Sequence, residues 1–216
     1  MALEACLFDL DGVLVDTAKY HFLAWKKLAN SLGFDFSEQQ NESLKGISRV
    51  ESLKKILSWG GLEIPQPRQD ELASLKNSWY VDMIAHIRRE DLLPGVVELL
   101  NELRSNHVKI ALGSASKNAK LILDNTGITP YFDAFVDGNL VSESKPDPAV
   151  FLKGAELLGV MPSACVVFED AVAGVEAALR GNMKAIGIGD PRELAKAHLV
   201  VNDLTHIDLK SIQSLF

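Results

Sequence analysis

The chain has 216 residues, 47% hydrophobic and 24% charged, the make-up of a soluble globular protein with one large domain or one domain carrying a smaller one. Its net charge of −7 and pI near 5.3 leave no broad basic face, which speaks against a nucleic acid or an anionic membrane surface as partner. Its two cysteines cannot build a disulfide framework, and both sit in apolar runs that read as buried, reduced core.

The N-terminal Met1-Ala2-Leu3-Glu4 lacks the basic stretch and apolar core of a signal peptide. No apolar run approaches the ~20 residues needed to cross a bilayer, so the cytoplasm is the expected compartment. Ala5 to Phe8 is an apolar strand ending at Asp9-Leu10-Asp11 and Gly12. From about Thr17 to Asp91 the pattern turns helical. Phe22, Trp25, Leu28, Ala29 and Leu32 recur at spacings of three and four until Gly33, and Leu72, Leu75, Trp79, Met83 and Ile87 resume the period. Gly60-Gly61 and Pro65-Gln66-Pro67 mark loops between these helices.

After Pro94-Gly95, strand and helix alternate. Helix Val96–Leu103 leads to strand Val108–Leu112 and to a helix beginning near Lys117. Short strands recur at Phe135-Val136, Cys165–Phe168, Ala185–Ile188 and Leu199–Val201, with helices Val150–Leu158 and Ala171–Leu179 among them. This alternation implies a parallel sheet covered on both faces. The first strand belongs with that set by composition, so the helical stretch reads as an insertion into an α/β domain.

Ligands of an open parallel sheet bind outside the carboxyl ends of its strands. Those ends carry Asp9 and Asp11, then Ser114-Ala115-Ser116-Lys117-Asn118, then Glu169-Asp170, with Lys145 in the loop Ser144-Lys145-Pro146-Asp147-Pro148. Mg²⁺ takes hard oxygen ligands, one or two of them carboxylates; Asp9 and Asp170 can supply these, with Glu169 as a ligand or as the anchor of a water. A carboxylate attacking a phosphate meets about 4 kcal/mol of repulsion for each close charge pair at an effective dielectric near 20, so a cation has to neutralise the site. Lys145 and the metal can do so together. Ser114 and the N–H groups near Ala115 lie at a strand-to-helix turn that attracts anions. Asp9 and Asp11, two apart, point to the same side of an extended backbone. Asp9 is then the nucleophile and Asp11 the general acid/base.

In order, Asp9-Leu10-Asp11-Gly12, Ser114, Lys145-Pro146-Asp147-Pro148 and Glu169-Asp170 resemble the four motifs of the haloacid dehalogenase superfamily. The resemblance spans the chain. It implies a Rossmann-like, doubly wound core built from residues 1–15 and 93–216, with an inserted all-helical cap of four-helix type over residues 16–92. It also implies that Asp9 becomes a phospho-aspartate and that the main-chain carbonyl of Asp11 joins Asp9, Glu169 and Asp170 around Mg²⁺.

Phosphatases and mutases share these motifs. A mutase must also hold a second, non-reacting phosphate, for which Arg49, with its bidentate fork, and Ser116, Lys117 and Asn118 are candidates. Asp16-Thr17-Ala18-Lys19-Tyr20-His21-Phe22, Leu44-Lys45-Gly46-Ile47-Ser48-Arg49, Lys76-Asn77 and Ser114–Asn118 are similar to the β-phosphoglucomutase family. That resemblance implies interconversion of β-glucose 1-phosphate and glucose 6-phosphate through β-glucose 1,6-bisphosphate. In that family the histidine matching His21 couples cap closure to the general acid/base. The substrate-binding set it implies is Thr17, His21, Trp25, Lys45, Gly46, Arg49, Ser52, Lys76, Ser114, Ala115, Ser116, Lys117, Asn118 and Lys145. By spacing alone Trp25, Trp79 and Tyr80 read as cap core. The other readings are a sugar-phosphate phosphatase of the same superfamily and a phosphoryl-accepting receiver domain, against which the helical insertion and Asp11 both argue. No apolar stripe suggests an obligate dimer, so a monomer acting on small sugar phosphates is expected.

Overall fold

The computed structural model describes residues 2–216; residue 1, the start of the first core segment expected above, lies outside the described residues. Six strands form one sheet: β1 (Ala5–Phe8), β2 (Lys109–Gly113), β3 (Ala134–Val136), β4 (Cys165–Glu169), β5 (Lys184–Ile188) and β6 (Leu199–Val201). Their order is β3-β2-β1-β4-β5-β6 and every neighbouring pair is parallel. β1 is four apolar residues in a row, all buried, and the sheet explains why. Cys6 and Phe8 enter the core on one face while Ala5 and Leu7 enter the core on the other. Phe8 stacks on Phe168 of β4, ring centroids 4.5 Å apart.

Helices α5 (Val96–Ser105), α6 (Ala119–Thr126) and α9 (Leu209–Gln213) cover the Phe8 face; α7 (Ala149–Leu158) and α8 (Val172–Arg180) cover the other. The doubly wound α/β core expected from the sequence is what forms. Between β1 and α5 lie α1 (Ala18–Ser31), α2 (Glu38–Glu42), α3 (Arg49–Trp59) and α4 (Gln66–Ile84). They bury a core of their own, including Trp25, Leu28, Phe36, Leu53, Ile56 and Leu72. Ala24, Tyr80 and Ile84 belong instead to the cluster beneath the sheet, so α1 and α4 are rooted in the α/β core. The two crossings between sheet and insert run side by side: Val15 bridges Leu92, and the Leu93 N–H donates to the Leu14 carbonyl at 3.0 Å.

Most strand and helix ends shift from expectation by one or two residues, and three boundaries carry a structural lesson. Pro65 and Pro67 do not sit in a loop but start α4, where a missing N–H costs nothing because the first-turn donors have no helical partner. α4 ends at Ile84, although the apolar period runs on to Ile87, which is buried in the core beyond the helix. α6 begins at Ala119 with Asn118 as its N-cap, because the Asn118 N–H is already taken by the Ser116 hydroxyl at 3.2 Å.

Candidate active site

Register sets the reactive end of the site. Phe8 lies beside Leu112 and Phe168, so the next residues along three adjacent strands, Asp9, Gly113 and Glu169, come level at the carboxyl edge. The Asp9 N–H donates to the Phe168 carbonyl at 3.0 Å, which fixes the carboxylate just past the edge. Two glycines leave room for the other acids. Gly12 has a φ of +85°, and a side-chain carbon there would overlap the Asp170 carboxylate; one at Gly174 would overlap that of Glu169.

Lys145 is buried, and its ammonium donates to Asp9 Oδ1 at 2.5 Å and to Glu169 Oε1 at 2.6 Å. Burial pulls its pKa down, but the charges of Asp9 and Glu169 outweigh burial and leave it raised. One ammonium does not neutralise three acids. Burial pushes Glu169 up to about 8 in spite of Lys145, and pushes Asp170 up to about 7 in spite of Lys45, with Asp9 adding to both. Carboxylate oxygens of Asp9, Glu169 and Asp170 lie within 4.8 Å of one another. Hard oxygen donors, crowded and under-neutralised, fit a divalent cation such as Mg²⁺. The Asp11 carboxylate stands outside this group.

Asp11 is held from the insert side. The Thr17 hydroxyl donates to Asp11 Oδ1, and His21 Nε2 lies 4.0 Å from Asp11 Oδ2. His21 Nδ1 is 2.8 Å from the Lys76 nitrogen; when that amine is protonated it can only donate, which puts the proton of a neutral His21 ring on Nε2, facing Asp11. Tyr80 stacks on His21 at 4.1 Å, and the Lys76 ammonium lies over the rings of Trp25 and Tyr80 at 4.5 and 4.6 Å. Burial, then the Lys76 and Arg49 charges, holds His21 well below its ordinary pKa. Burial and Arg49 bring Lys76 down to about 7. Burial, then Asp9, pushes Asp11 up to about 6. A carboxyl whose pKa is raised to about 6 gives and takes a proton more readily near neutral pH than an ordinary aspartate, which suits a general acid/base.

One cavity, about 1080 Å³, is lined by Asp9, Asp11, Lys145 and Asp170 and also by Arg49, Ser116, Lys117 and Asn118. Arg49 opens α3, and burial lowers its pKa with no carboxylate acting on it. Asn118 donates from Nδ2 to Asn77 Oδ1 at 2.8 Å, tying the start of α6 to α4. His21, Trp25, Lys45, Gly46, Ser52, Lys76 and Ala115 also line the cavity. Thr17 and Ser114 do not; Thr17 is fully buried under Asp11, and the Ser114 hydroxyl accepts the Ser116 N–H at 3.1 Å. Two contributors escaped the sequence reading. Tyr80 lies one helical turn beyond Lys76, a spacing that puts both on one face. The loop from Gly138 to Ser144 lines the wall before Lys145, and its polar Ser142-Glu143-Ser144 was a signal available in the sequence.

A family model, "haloacid dehalogenase-like hydrolase", matches residues 3–182. A β-phosphoglucomutase from Bacillus subtilis is 43% identical over 96% of this chain and 93% of its own. The crystal structure of a β-phosphoglucomutase from Clostridium difficile superposes with a TM-score of 0.96 at 43% identity, covering 98% of this chain and 96% of that one. A phosphorylated-carbohydrates phosphatase from Thermotoga maritima is 33% identical over 85% of this chain and 84% of its own.

Proposed function

The chain belongs to the haloacid dehalogenase-like hydrolase family, and from that premise we propose that it is a phosphoglucomutase interconverting β-D-glucose 1-phosphate and glucose 6-phosphate through β-glucose 1,6-bisphosphate. The observation that carries this reading is that one cavity is lined both by the acids with Lys145 and by a second polar set, Arg49, Ser116, Lys117 and Asn118. A hydrolase needs the reactive end alone, whereas a mutase must also grip the phosphate that is not reacting.

Asp9 attacks the phosphorus of one ester, its carboxylate oxygen forming a new P–O bond as the bond to the sugar oxygen breaks. Asp11 gives its proton to that departing oxygen, and His21, oriented by Lys76, steadies the carboxylate left behind. The Lys145 ammonium, donating to Asp9 Oδ1, holds the carboxylate in line for attack. Asp9, Glu169, Asp170 and the main-chain carbonyl of Asp11 would hold Mg²⁺, which would supply further charge neutralisation for the transferring phosphoryl group. Arg49, Ser116, Lys117 and Asn118 hold the other phosphate, while Ser114 and the adjoining N–H groups brace the reactive one. In the second half a fresh β-glucose 1-phosphate gives the proton of its 6-hydroxyl to Asp11, and that oxygen attacks the phospho-aspartate, breaking its P–O bond to Asp9, freeing the carboxylate and forming the bisphosphate.

Residues 16–92 act as a cap that swings about the paired Val15–Leu92 crossing, over a core of residues 1–15 and 93–216. Trp25, Lys45, Gly46 and Ser52 are its contribution to the sugar and phosphate pocket. The enzyme works as a monomer in the cytoplasm. The relationship to the Thermotoga phosphatase keeps hydrolysis as the second reading. Phosphorus NMR of the protein with β-glucose 1-phosphate, Mg²⁺ and trace β-glucose 1,6-bisphosphate separates the two. Glucose 6-phosphate is expected, and inorganic phosphate in its place would sink the mutase reading.

A further inference from the structure

One charged contact at the metal-ligand cluster comes from the insert rather than from the sheet. The Lys45 ammonium, on the loop after α2, lies 3.2 Å from Asp170 Oδ2 and 2.8 Å from Glu42 Oε2. The two acids differ sharply in setting. The Asp170 side chain is 10% exposed, that of Glu42 59%, and Lys45 spans the two at 32%. The loop that carries Lys45 is seated on the core at two further points. A side-chain carbon at Gly46 would lie 3.4 Å from Ala171 Cβ and 3.6 Å from Lys145 Cδ, and the Ser48 N–H donates to the Ser144 hydroxyl at 3.2 Å. Lys45 is therefore delivered to Asp170 by a docked backbone, not by a chance reach of a surface side chain.

Lys145 already serves Asp9 and Glu169, and Lys45 serves the third acid of the group. Each of the three carboxylates thus has a protein cation, and Asp170 has the one that is anchored elsewhere. A divalent ion needs an oxygen of Asp170, and an ammonium hydrogen-bonded to that oxygen occupies one of its lone-pair directions and repels the ion. Lys45 also lines a second cavity, of about 310 Å³, on the far side of Asp170, together with Asp16, Asp190, Glu193 and Asp203. That gives the displaced ammonium a solvated, negatively charged place to move, with Glu42 still in reach.

We propose that Lys45 is a built-in counter-cation of Asp170: it holds the carboxylate while no metal is bound, competes with the divalent ion for it, and retreats to Glu42 when the ion binds. This rests on the reading of Asp170 as a metal ligand. The arrangement keeps the acids from being stranded together without charge compensation, and weakens metal binding in return.

The test is binding, not turnover. Free Mn²⁺ is followed by electron paramagnetic resonance as it is titrated into metal-stripped protein, and Mg²⁺ is measured by competition. Lys45→Met, which keeps the stem and removes the charge, is expected to bind Mn²⁺ roughly tenfold more tightly, the worth of a part-screened ion pair. Glu42→Gln, which takes away the fallback partner, is expected to bind it several-fold more weakly, and to have no effect when combined with Lys45→Met. Unchanged or weaker Mn²⁺ binding by Lys45→Met overturns the proposal, and so does an undiminished Glu42→Gln effect in the double variant. Asp170→Asn separates the premise from the proposal: if it leaves Mn²⁺ affinity untouched, Asp170 is not a ligand and the metal-site reading falls with it.

Discussion

Replacing Lys145 with methionine keeps the stem of the side chain and deletes the charge. In protein stripped of metal, the carboxylates of Asp9 and Glu169 then lose the ammonium that sat 2.5 and 2.6 Å away, in a position with about 1% of the lysine side chain exposed. Deleting one partner of a buried ion pair destabilises by about 3–5 kcal/mol, because the other charge is stranded. The loss depends on pH, since a proton can stand in for the lysine. Burial already raises Glu169 to about 8. Without Lys145 the folded pair of acids binds about one proton more than in the parent, and stability then recovers by about 1.4 kcal/mol for each unit the pH falls. The expected deficit is thus about 3–5 kcal/mol at pH 8, shrinking to about 0–1.5 kcal/mol at pH 5.5. Urea unfolding in EDTA, followed by far-UV circular dichroism, measures it. Trp25, Trp59 and Trp79 all lie in the insert and are the chain's three tryptophans, so their fluorescence reports in parallel whether the damage spreads there. A deficit below about 1 kcal/mol at pH 8, or one equal at both pH values, would refute the view that Lys145 compensates buried charge.

Asp11→Asn is expected to lower kcat by roughly 10²- to 10⁴-fold, the usual worth of a general acid/base, and to abolish the limb of the pH–rate profile that reports an acid near 6; an unchanged rate removes Asp11 from the mechanism. Gly12→Ala forces a side-chain carbon into the Asp170 carboxylate from a left-handed backbone, so Mg²⁺ affinity measured by calorimetry should fall at least tenfold, and intact affinity would show that Asp170 has freedom to move. Glu169 and Asp170 are raised to about 8 and 7, so in metal-free protein the folded state holds their protons more tightly than the unfolded state does, and ionising them lowers stability as pH climbs towards 8. Mg²⁺ displaces those protons, so the rise in Tm at fixed Mg²⁺ should grow from pH 6 to pH 8.5; a rise of constant size would place the ligands elsewhere.

The sequence by itself determined the architecture and the reactive end of the site. β1 needs apolar residues on both faces because both are covered, so Ala5–Phe8 could not be mistaken for a surface strand. The acids that follow β1 and β4 fall at the strands' carboxyl edge by parallel topology alone. Asp9, Lys145, Glu169 and Asp170 meet because register is a local property of adjacent strands, and motifs record it. Helix ends were legible only to within a few residues, as Pro65–Pro67 shows, since a proline reads alike in a loop and in the first turn of a helix.

What tertiary structure decided is the environment of single side chains. Lys76 on an amphipathic helix looks like a solvated charge, yet folding α4 against α1 buries it over Trp25 and Tyr80 and against His21. Its lowered pKa, and the direction of the His21 proton towards Asp11, follow from that packing and from no pattern along the chain. Lys45 likewise carries no mark of its position beside Asp170 across the boundary between insert and core. Burial and charge proximity act through space, between residues far apart in sequence. Periodicity and motif spacing describe only what is near along the chain, which is why they found the acids and Lys145 but not the settings of Lys45 and Lys76.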